Sequence, residues 1–353
     1  MGSSVVLLGS GALARAVCSS LAVSGRPMTV TVAARNGARA AEVAYLGNAC
    51  AALAEAPVRY RAVPSQLSDP LELSRVIGAT MPDIVLLAAS YQSACEGLTR
   101  PSPWTRLVDR AGFGLTAPLH ALLALTVADV VAQNGKPRLL IASYPDAVNP
   151  MLAALGYSVF AGVGNAALLS ASLRAALDVR PRNRVRILAH RVHLCSPGAP
   201  EDEARAWVDG APVPDVTSAL SAQRATDLRE LNLVTAHSTA LLIRGLLAGA
   251  PMYTSLPGPL GLPGGYPVMI NGNIQLDLPE DITPNEAVEW NRAAARRDGV
   301  DIDNGQVRFS DRVLGVLHPY LPELSGGFPV DALETVGARL LTLRDKLRTA
   351  PDR

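Results

Sequence analysis

The chain has 353 residues, 49% of them hydrophobic and 18% charged, with a formal net charge of +1. These values allow two domains with an ample core and exclude a disordered chain. The basic residues are scattered, so the footprint of a nucleic-acid or anionic-membrane binder is missing.

Arginine supplies nearly all of the positive charge, since Lys136 and Lys346 are the only lysines. A Tyr-x-x-x-Lys dyad is therefore impossible, and lysine Schiff-base chemistry has no suitable residue. Cys18, Cys50, Cys95 and Cys195 are far apart and follow no metal-type spacing. A chain of this size folds without disulfides, so reduced thiols and a cytoplasmic location are expected. The N-terminus lacks a basic segment and its apolar run stops at a glycine turn, unlike a signal peptide. Val6 stands where myristoylation after Met1-Gly2 would want Ser or Thr. No apolar stretch reads as a bilayer span.

Taken in chain order, Val5-Val6-Leu7-Leu8 reads as a buried strand ended by glycine. Residues 12–24 read as a helix, 28–34 as a strand and 39–55 as a second helix. A strand over 83–89, a helix over 118–133 and a strand over 138–143 follow. Strands alternating with helices imply βαβ units and a parallel sheet, hence a doubly wound α/β Rossmann domain over residues 1–148. Residues 149–353 read as an α+β substrate domain. It holds a strand over 185–194, a long helix, whole or broken, over 219–247, a Gly/Pro-rich stretch at 256–266 and two short strands at 268–270 and 274–276. A helix begins near Thr283-Pro284, and a terminal amphipathic helix covers 330–347.

Gly9-Ser10-Gly11-Ala12-Leu13-Ala14 fits Gly-x-Gly-x-x-Ala between the first strand and the first helix. Gly9 permits the turn, Gly11 lets the backbone approach a pyrophosphate, and Ala14 keeps the helix close to the sheet. The helix N-terminus then offers free N–H groups to phosphate. At the end of the second strand, Ala34-Arg35-Asn36 carries an arginine and no carboxylate, which suits the 2′-phosphate of NADP over the ribose hydroxyls of NAD. Ala88 and Ala89, closing the strand over 83–89, complete the expected cofactor wall.

From residue 83 to 174 the chain resembles the malate and lactate dehydrogenase family. Arg100-Pro101-Ser102-Pro103-Trp104-Thr105-Arg106 looks like the family's mobile loop with its two substrate arginines. Asn149-Pro150 looks like the Asn-Pro at nicotinamide and substrate. Ser172-Leu173-Arg174 looks like the segment carrying a third substrate arginine. The resemblance covers most of the chain and leaves residues beyond about 300 as an extension. It implies a hydride transfer to or from a carboxylate-bearing 2-oxo, 2-hydroxy or imino compound. Arg100, Arg106, Arg174 and Asn149 would contact that substrate, with Arg106 also polarising its reacting oxygen.

Two departures stand out. Ala171 occupies the position of the aspartate that orients the family's catalytic histidine, and Ala189-His190-Arg191-Val192-His193 replaces its Gly-rich histidine signature. His190 is the expected proton relay, with His193 the alternative on the opposite face of the expected strand. Two further readings stay open: a non-catalytic NADP-binding sensor or scaffold, and a metal-dependent redox glycosidase or lyase using His193 and Cys195. The expected partner is a small molecule, with neither nucleic acid nor membrane, and the expected assembly is a homo-oligomer.

Overall fold

The computed structural model describes residues 2–135, 137–324 and 326–351. Met1 and Lys136 lie outside them. The first strands and helices are β1 (Ser3–Leu8), α1 (Ala12–Ala22), β2 (Met28–Ala34), α2 (Gly37–Leu53), β3 (Val58–Pro64), α3 (Pro70–Thr80) and β4 (Ile84–Leu87). They continue with α4 (Glu96–Thr99), α5 (Pro103–Ala111), α6 (Ala117–Gln133), β5 (Arg138–Ile141), α7 (Pro145–Ala154) and β6 (Ala161–Gly162). All six strands pair in parallel in the order β3-β2-β1-β4-β5-β6, a doubly wound sheet whose direction of winding reverses between β1 and β4. The sheet therefore runs past residue 148, where the sequence reading ended the first domain, because β6 adds its sixth strand.

The strand period of two sorts the core. Val6, Leu8, Val85 and Leu87 point to one face of the sheet, and Val5, Leu7, Ile84 and Leu86 to the other, all at 0% exposure. Each such side chain contributes about 1.5–3 kcal/mol on burial. This two-sided burial is why these strands read as continuous apolar runs.

The second half begins with α8 (Asn165–Ala176), β7 (Val185–Leu188), β8 (Arg205–Val208) and β9 (Ala211–Pro212). The helices α9 (Val216–Ala219), α10 (Ser221–Ala225) and α11 (Leu228–Ala248) show that the helical stretch expected over 219–247 is broken. Asp227 explains the last break, since its side chain accepts from the Arg229 N–H and caps α11. A sheet of β10 (Met252–Pro257), β11 (Gly265–Asn271) and β12 (Asn273–Leu276) then leads into α12 (Pro284–Asp298).

The last residues form β13 (Val300–Asp303), β14 (Gln306–Phe309), α13 (Asp311–Leu317), β15 (Phe328–Pro329) and α14 (Leu333–Thr349). They return to the first half. Val307, Val313, Leu333, Leu340 and Leu347 share one core with Val6, Leu8, Leu107 and Val127 on the α6 face of the sheet. The segment beyond 300 is thus an integral layer over the parallel sheet.

Among the described residues two helical segments, Phe113–Gln133 and Leu228–Ala248, are long and apolar enough to cross a membrane, contrary to the sequence reading. Here the first lies largely within the core, while α11 packs Ala236, Ala240 and Ile243 into the core shared with α1.

Candidate functional site

A cleft of about 550 Å³ opens at the carboxyl ends of the strands, where winding reverses. Such crevices hold ligands in doubly wound folds, because loops on either side diverge there. Gly11, Ala12 and Leu13 line one end, with Ala88, Ala89 and Ser90 beside them.

The turn has the geometry its sequence implies. Gly9 has φ +128°, and its N–H donates to the Ala33 carbonyl at 2.8 Å. A Cβ at Gly9 would stand 2.9 Å from the Ala88 carbonyl oxygen. At Gly11 a Cβ would meet nothing within 4 Å, so this backbone faces open space. Gly11 is the N-cap of α1, and no side chain among the described residues caps that helix. The first N–H groups of α1 and the positive end of its dipole are left to a ligand. Ser10 completes the turn. Ala34, Arg35 and Asn36 follow at the end of β2 without lining the cleft. Arg35 is exposed, and Asn36 caps α2 by accepting from the Arg39 N–H at 3.0 Å.

The far end of the cleft is polar and tightly organised. Tyr144 begins α7 in the left-handed region, with φ 52°, and its Oη donates to Asp298 Oδ2 at 2.7 Å. Burial, then the Asp298 charge, pushes the Tyr144 phenol well above its usual range, so it remains a donor. Arg191 Nη1 donates to Asp298 Oδ1 at 3.0 Å, and its guanidinium lies 3.6 Å over the Phe113 ring. The Arg191 backbone N–H donates to Asp146 Oδ1 at 3.1 Å, and Asn165 Nδ2 donates to Asp146 Oδ2 at 3.0 Å. Burial raises the Asp146 carboxyl above its ordinary value, against the opposing pull of His190 and its hydrogen bonds. A left-handed tyrosine costs about 1–3 kcal/mol, and strain of that kind concentrates at functional sites.

His120, on the first turn of α6, also lines the cleft at 2% exposure. Neither of its ring nitrogens has a hydrogen-bond partner among the described residues. Burial, helped by the Arg191 charge, lowers its pKa to about 3.

The segment after β4 forms one wall, with Gln92, Cys95 and Thr99 facing the cleft. It is held by the C-terminal helix. Arg348 Nε donates to Glu96 Oε1 at 2.6 Å, and Gln92 Nε2 donates to Glu96 Oε2 at 2.9 Å. Gln92 Oε1 accepts from the Trp104 indole at 3.1 Å, and Arg344 binds the Tyr91 carbonyl.

Several expected substrate residues lie elsewhere. Arg100 ends α4 and Arg106 sits exposed on α5; neither lines the cleft. Instead of an open loop, Ser102 and Thr105 form a capping box that starts α5. Arg174 closes the C-terminal end of α8, donating from Nε to the Val179 carbonyl at 3.2 Å and binding the Arg180 carbonyl. It lines a separate cavity of about 500 Å³ with His237 and Leu233. The cleft-facing side of α8 carries Asn165 and Leu168. Asn149 is fully buried inside α7, its Nδ2 donating to the Gly258 carbonyl at 2.9 Å, and is absent from the cleft wall.

The histidines are also placed differently. β7 stops at Leu188 and residues 191–194 form a 3₁₀ turn, so the two-face argument for His190 and His193 does not apply. His190 is 0% exposed and does not line the cleft; its Nδ1 accepts from the Val192 N–H at 3.3 Å and lies 3.8 Å from Asp298. His193 Nδ1 accepts from the His190 N–H at 2.8 Å, and its Nε2 meets the Asp202 carbonyl at 3.0 Å. Its ring stacks on Trp290, and burial lowers its pKa to about 3. Both nitrogens of His193 are engaged with backbone. Among the described residues no three His, Cys, Asp or Glu side chains gather as a metal site, and Cys195 is exposed.

The sequence reading missed Phe113, His120, Tyr144, Asp146, Arg191 and Asp298. Tyr144-Pro145-Asp146, straight after a parallel strand, marks a strand-end loop where sites gather. Nothing local marks Asp298, which reaches Tyr144 across 154 residues.

No family model matches the sequence, and no curated protein matches it. Solved structures do match in fold. The malate dehydrogenase of Picrophilus torridus is 11% identical at a TM-score of 0.59, over 84% of this chain and 96% of that one. The malate dehydrogenase of Cryptosporidium parvum is 13% identical at 0.51, over 84% and 96%. A minor L-lactate dehydrogenase of Enterococcus mundtii is 15% identical at 0.52, over 84% and 95%. The chain has a malate/lactate dehydrogenase-like fold, as the motifs implied.

Proposed function

We propose that this chain is a nicotinamide-dependent oxidoreductase acting on a small carboxylate-bearing 2-oxo or 2-hydroxy compound or a related imine. One observation carries the reading: a single cleft joins the glycine turn of α1 to the half-buried cation at Arg191. The fold neighbours, named as malate and lactate dehydrogenases, support the reaction class.

The residues suit the cofactor. Gly9 permits the turn, Gly11 leaves room for a pyrophosphate, and Gly11 through Leu13 present uncapped N–H groups to it. Ala88 and Ala89 offer the apolar wall. Arg35, with no carboxylate beside it at the end of β2, supports a preference for NADP. When bound, the nicotinamide supplies or accepts the hydride.

Arg191 takes the substrate role first given to Arg106 and Arg174. A guanidinium carries five N–H donors in a fork that matches a carboxylate, and the bond to Asp298 uses one. Stacking on Phe113 and the Asp298 bond hold the fork in place. Asp146 fixes its backbone, and the His190–Val192 bond fixes the turn that carries it. His190 is thus a positioning residue. The test is oxidation of NADPH by purified protein against a panel of 2-oxo acids, with Arg191→Leu alongside. Turnover by wild type and a large rise in KM for the variant are expected. Turnover unaffected by the loss of Arg191 would overturn the assignment.

A further inference from the structure

We propose that His120 hydrogen-bonds the reacting oxygen of the substrate whose carboxylate Arg191 holds. This rests on the reading above and adds the side chain that meets the reacting group of a 2-oxo acid or its 2-hydroxy partner.

The geometry comes first. His120 is one of five histidines, and it alone among the described residues is buried, faces the cleft and has both ring nitrogens without a partner. His190 is absent from the cleft lining and its Nδ1 accepts from the Val192 N–H, and His193 is tied to backbone through both nitrogens. Packing holds the His120 ring without using its nitrogens. Phe113 lies 5.4 Å away, tilted, and Tyr144 lies 5.8 Å away, edge-on. The same Phe113 ring carries the Arg191 guanidinium on its face. His120 and Arg191 are therefore set around one aromatic side chain, within one cleft.

An unpartnered buried imidazole is costly, so its persistence beside a cleft points to a ligand that completes it. The chemistry of that ligand follows from the ring. Burial and the neighbouring Arg191 keep His120 neutral. A neutral imidazole has one N–H and one lone pair. It can donate to a carbonyl oxygen and accept from a hydroxyl, so it satisfies both members of an oxo/hydroxy couple. A second cation there would instead favour a second carboxylate. The arrangement fits a compound with one carboxylate beside one carbonyl or hydroxyl group.

The experiment uses the full chain saturated with NADPH, and oxamate as probe, because it places a carbonyl beside a carboxylate without being reduced. Oxamate affinity is measured calorimetrically for wild type, His120→Leu, His120→Asn and Arg191→Leu, with melting curves to establish folding. Histidine ring nitrogen resonances of wild type are followed by NMR during the titration. The proposal expects His120→Leu to bind about tenfold more weakly, the cost of one buried hydrogen bond. His120→Asn, which keeps a donor and an acceptor, should recover part of that loss. The His120 resonances should shift as oxamate binds. If His120→Leu binds oxamate like wild type while Arg191→Leu does not, the inference is wrong and the carboxylate assignment stands. If His120→Leu fails to fold, unmoved His120 resonances in wild type overturn the inference and shifted ones support it. If wild type binds NADPH but no oxamate, both the substrate class and the inference fall.

Discussion

The two glycines of the first turn should respond in opposite ways to the addition of a side chain. At Gly9 the backbone has φ +128°, and a Cβ would sit 2.9 Å from the Ala88 carbonyl oxygen. That oxygen belongs to the main chain at the end of β4 and cannot swing aside. A non-glycine residue in such a conformation costs about 1–3 kcal/mol, and relieving the clash adds more. Gly9→Ala should therefore melt several degrees below wild type whether or not cofactor is present. At Gly11, φ is −76° and the Cβ position is empty to 4 Å. Gly11→Val should leave the unliganded protein within about 1 kcal/mol of wild type, since restricting the unfolded chain offsets a poorer helix cap. Its branched side chain would occupy the space where phosphate must meet the N–H groups of α1. Losing two charge-assisted bonds of about 1.5–3 kcal/mol each predicts at least a hundredfold weaker NADPH binding. Melting curves give the first quantity and calorimetric titration the second. Gly11→Val binding NADPH like wild type would refute the placement of the phosphates. Gly9→Ala melting like wild type would refute the steric argument.

Arg35→Asp should weaken NADPH by about tenfold and strengthen NADH, because a carboxylate repels the 2′-phosphate and accepts from ribose hydroxyls; paired titrations read the ratio. Glu96→Ala removes a carboxylate that is 5% exposed and bound by Arg348 and Gln92, so stability should fall by about 1–3 kcal/mol. NADPH affinity should fall with it as the wall carrying Gln92 and Cys95 loosens, which urea denaturation and fluorescence titration can follow. His120 and His193 both titrate near about 3 in the folded chain, below the ordinary histidine value of about 6.5. Their depressed values mean that unfolding takes up protons as pH falls. Stability should be full above about pH 6.5 and decline from there toward about 3, and His193→Gln should shallow that decline. Urea midpoints at a series of pH values measure the slope.

How much of this was legible depended on the range of the signal. The strand over 28–34 agrees with β2, and β1, its glycine turn and α1 follow the motif, because strand, turn and helix signals there are local and mutually consistent. The hairpin of β13 and β14 had a local signal that went unread: Asn304 and Gly305 both have positive φ, the turn that an Asn-Gly pair favours. The loop reading of residues 100–106 overlooked another such signal, a serine before proline with threonine three residues on, which starts a helix. Arg174 was misplaced because an arginine capping carbonyls at a helix end looks, in sequence, like one awaiting a carboxylate. Arg191 was hidden in an apolar stretch that reads as strand. The 3₁₀ turn that presents it is set by bonds of the His190 and His193 rings to backbone N–H groups of the turn, which no periodicity reports. The return of α14 to the first sheet and the reach of Asp298 to Tyr144 are tertiary contacts that span most of the chain.

The central claim is that one cleft takes a nicotinamide dinucleotide at the α1 turn and a carboxylate at Arg191. The most direct test is a stepwise calorimetric titration of the full chain, NADPH first and then oxamate. Ordered binding is predicted, with Gly11→Val losing the first step and Arg191→Leu losing only the second. If NADPH binds Gly11→Val as tightly as wild type, or oxamate binds Arg191→Leu as tightly as wild type, this account of the cleft is contradicted.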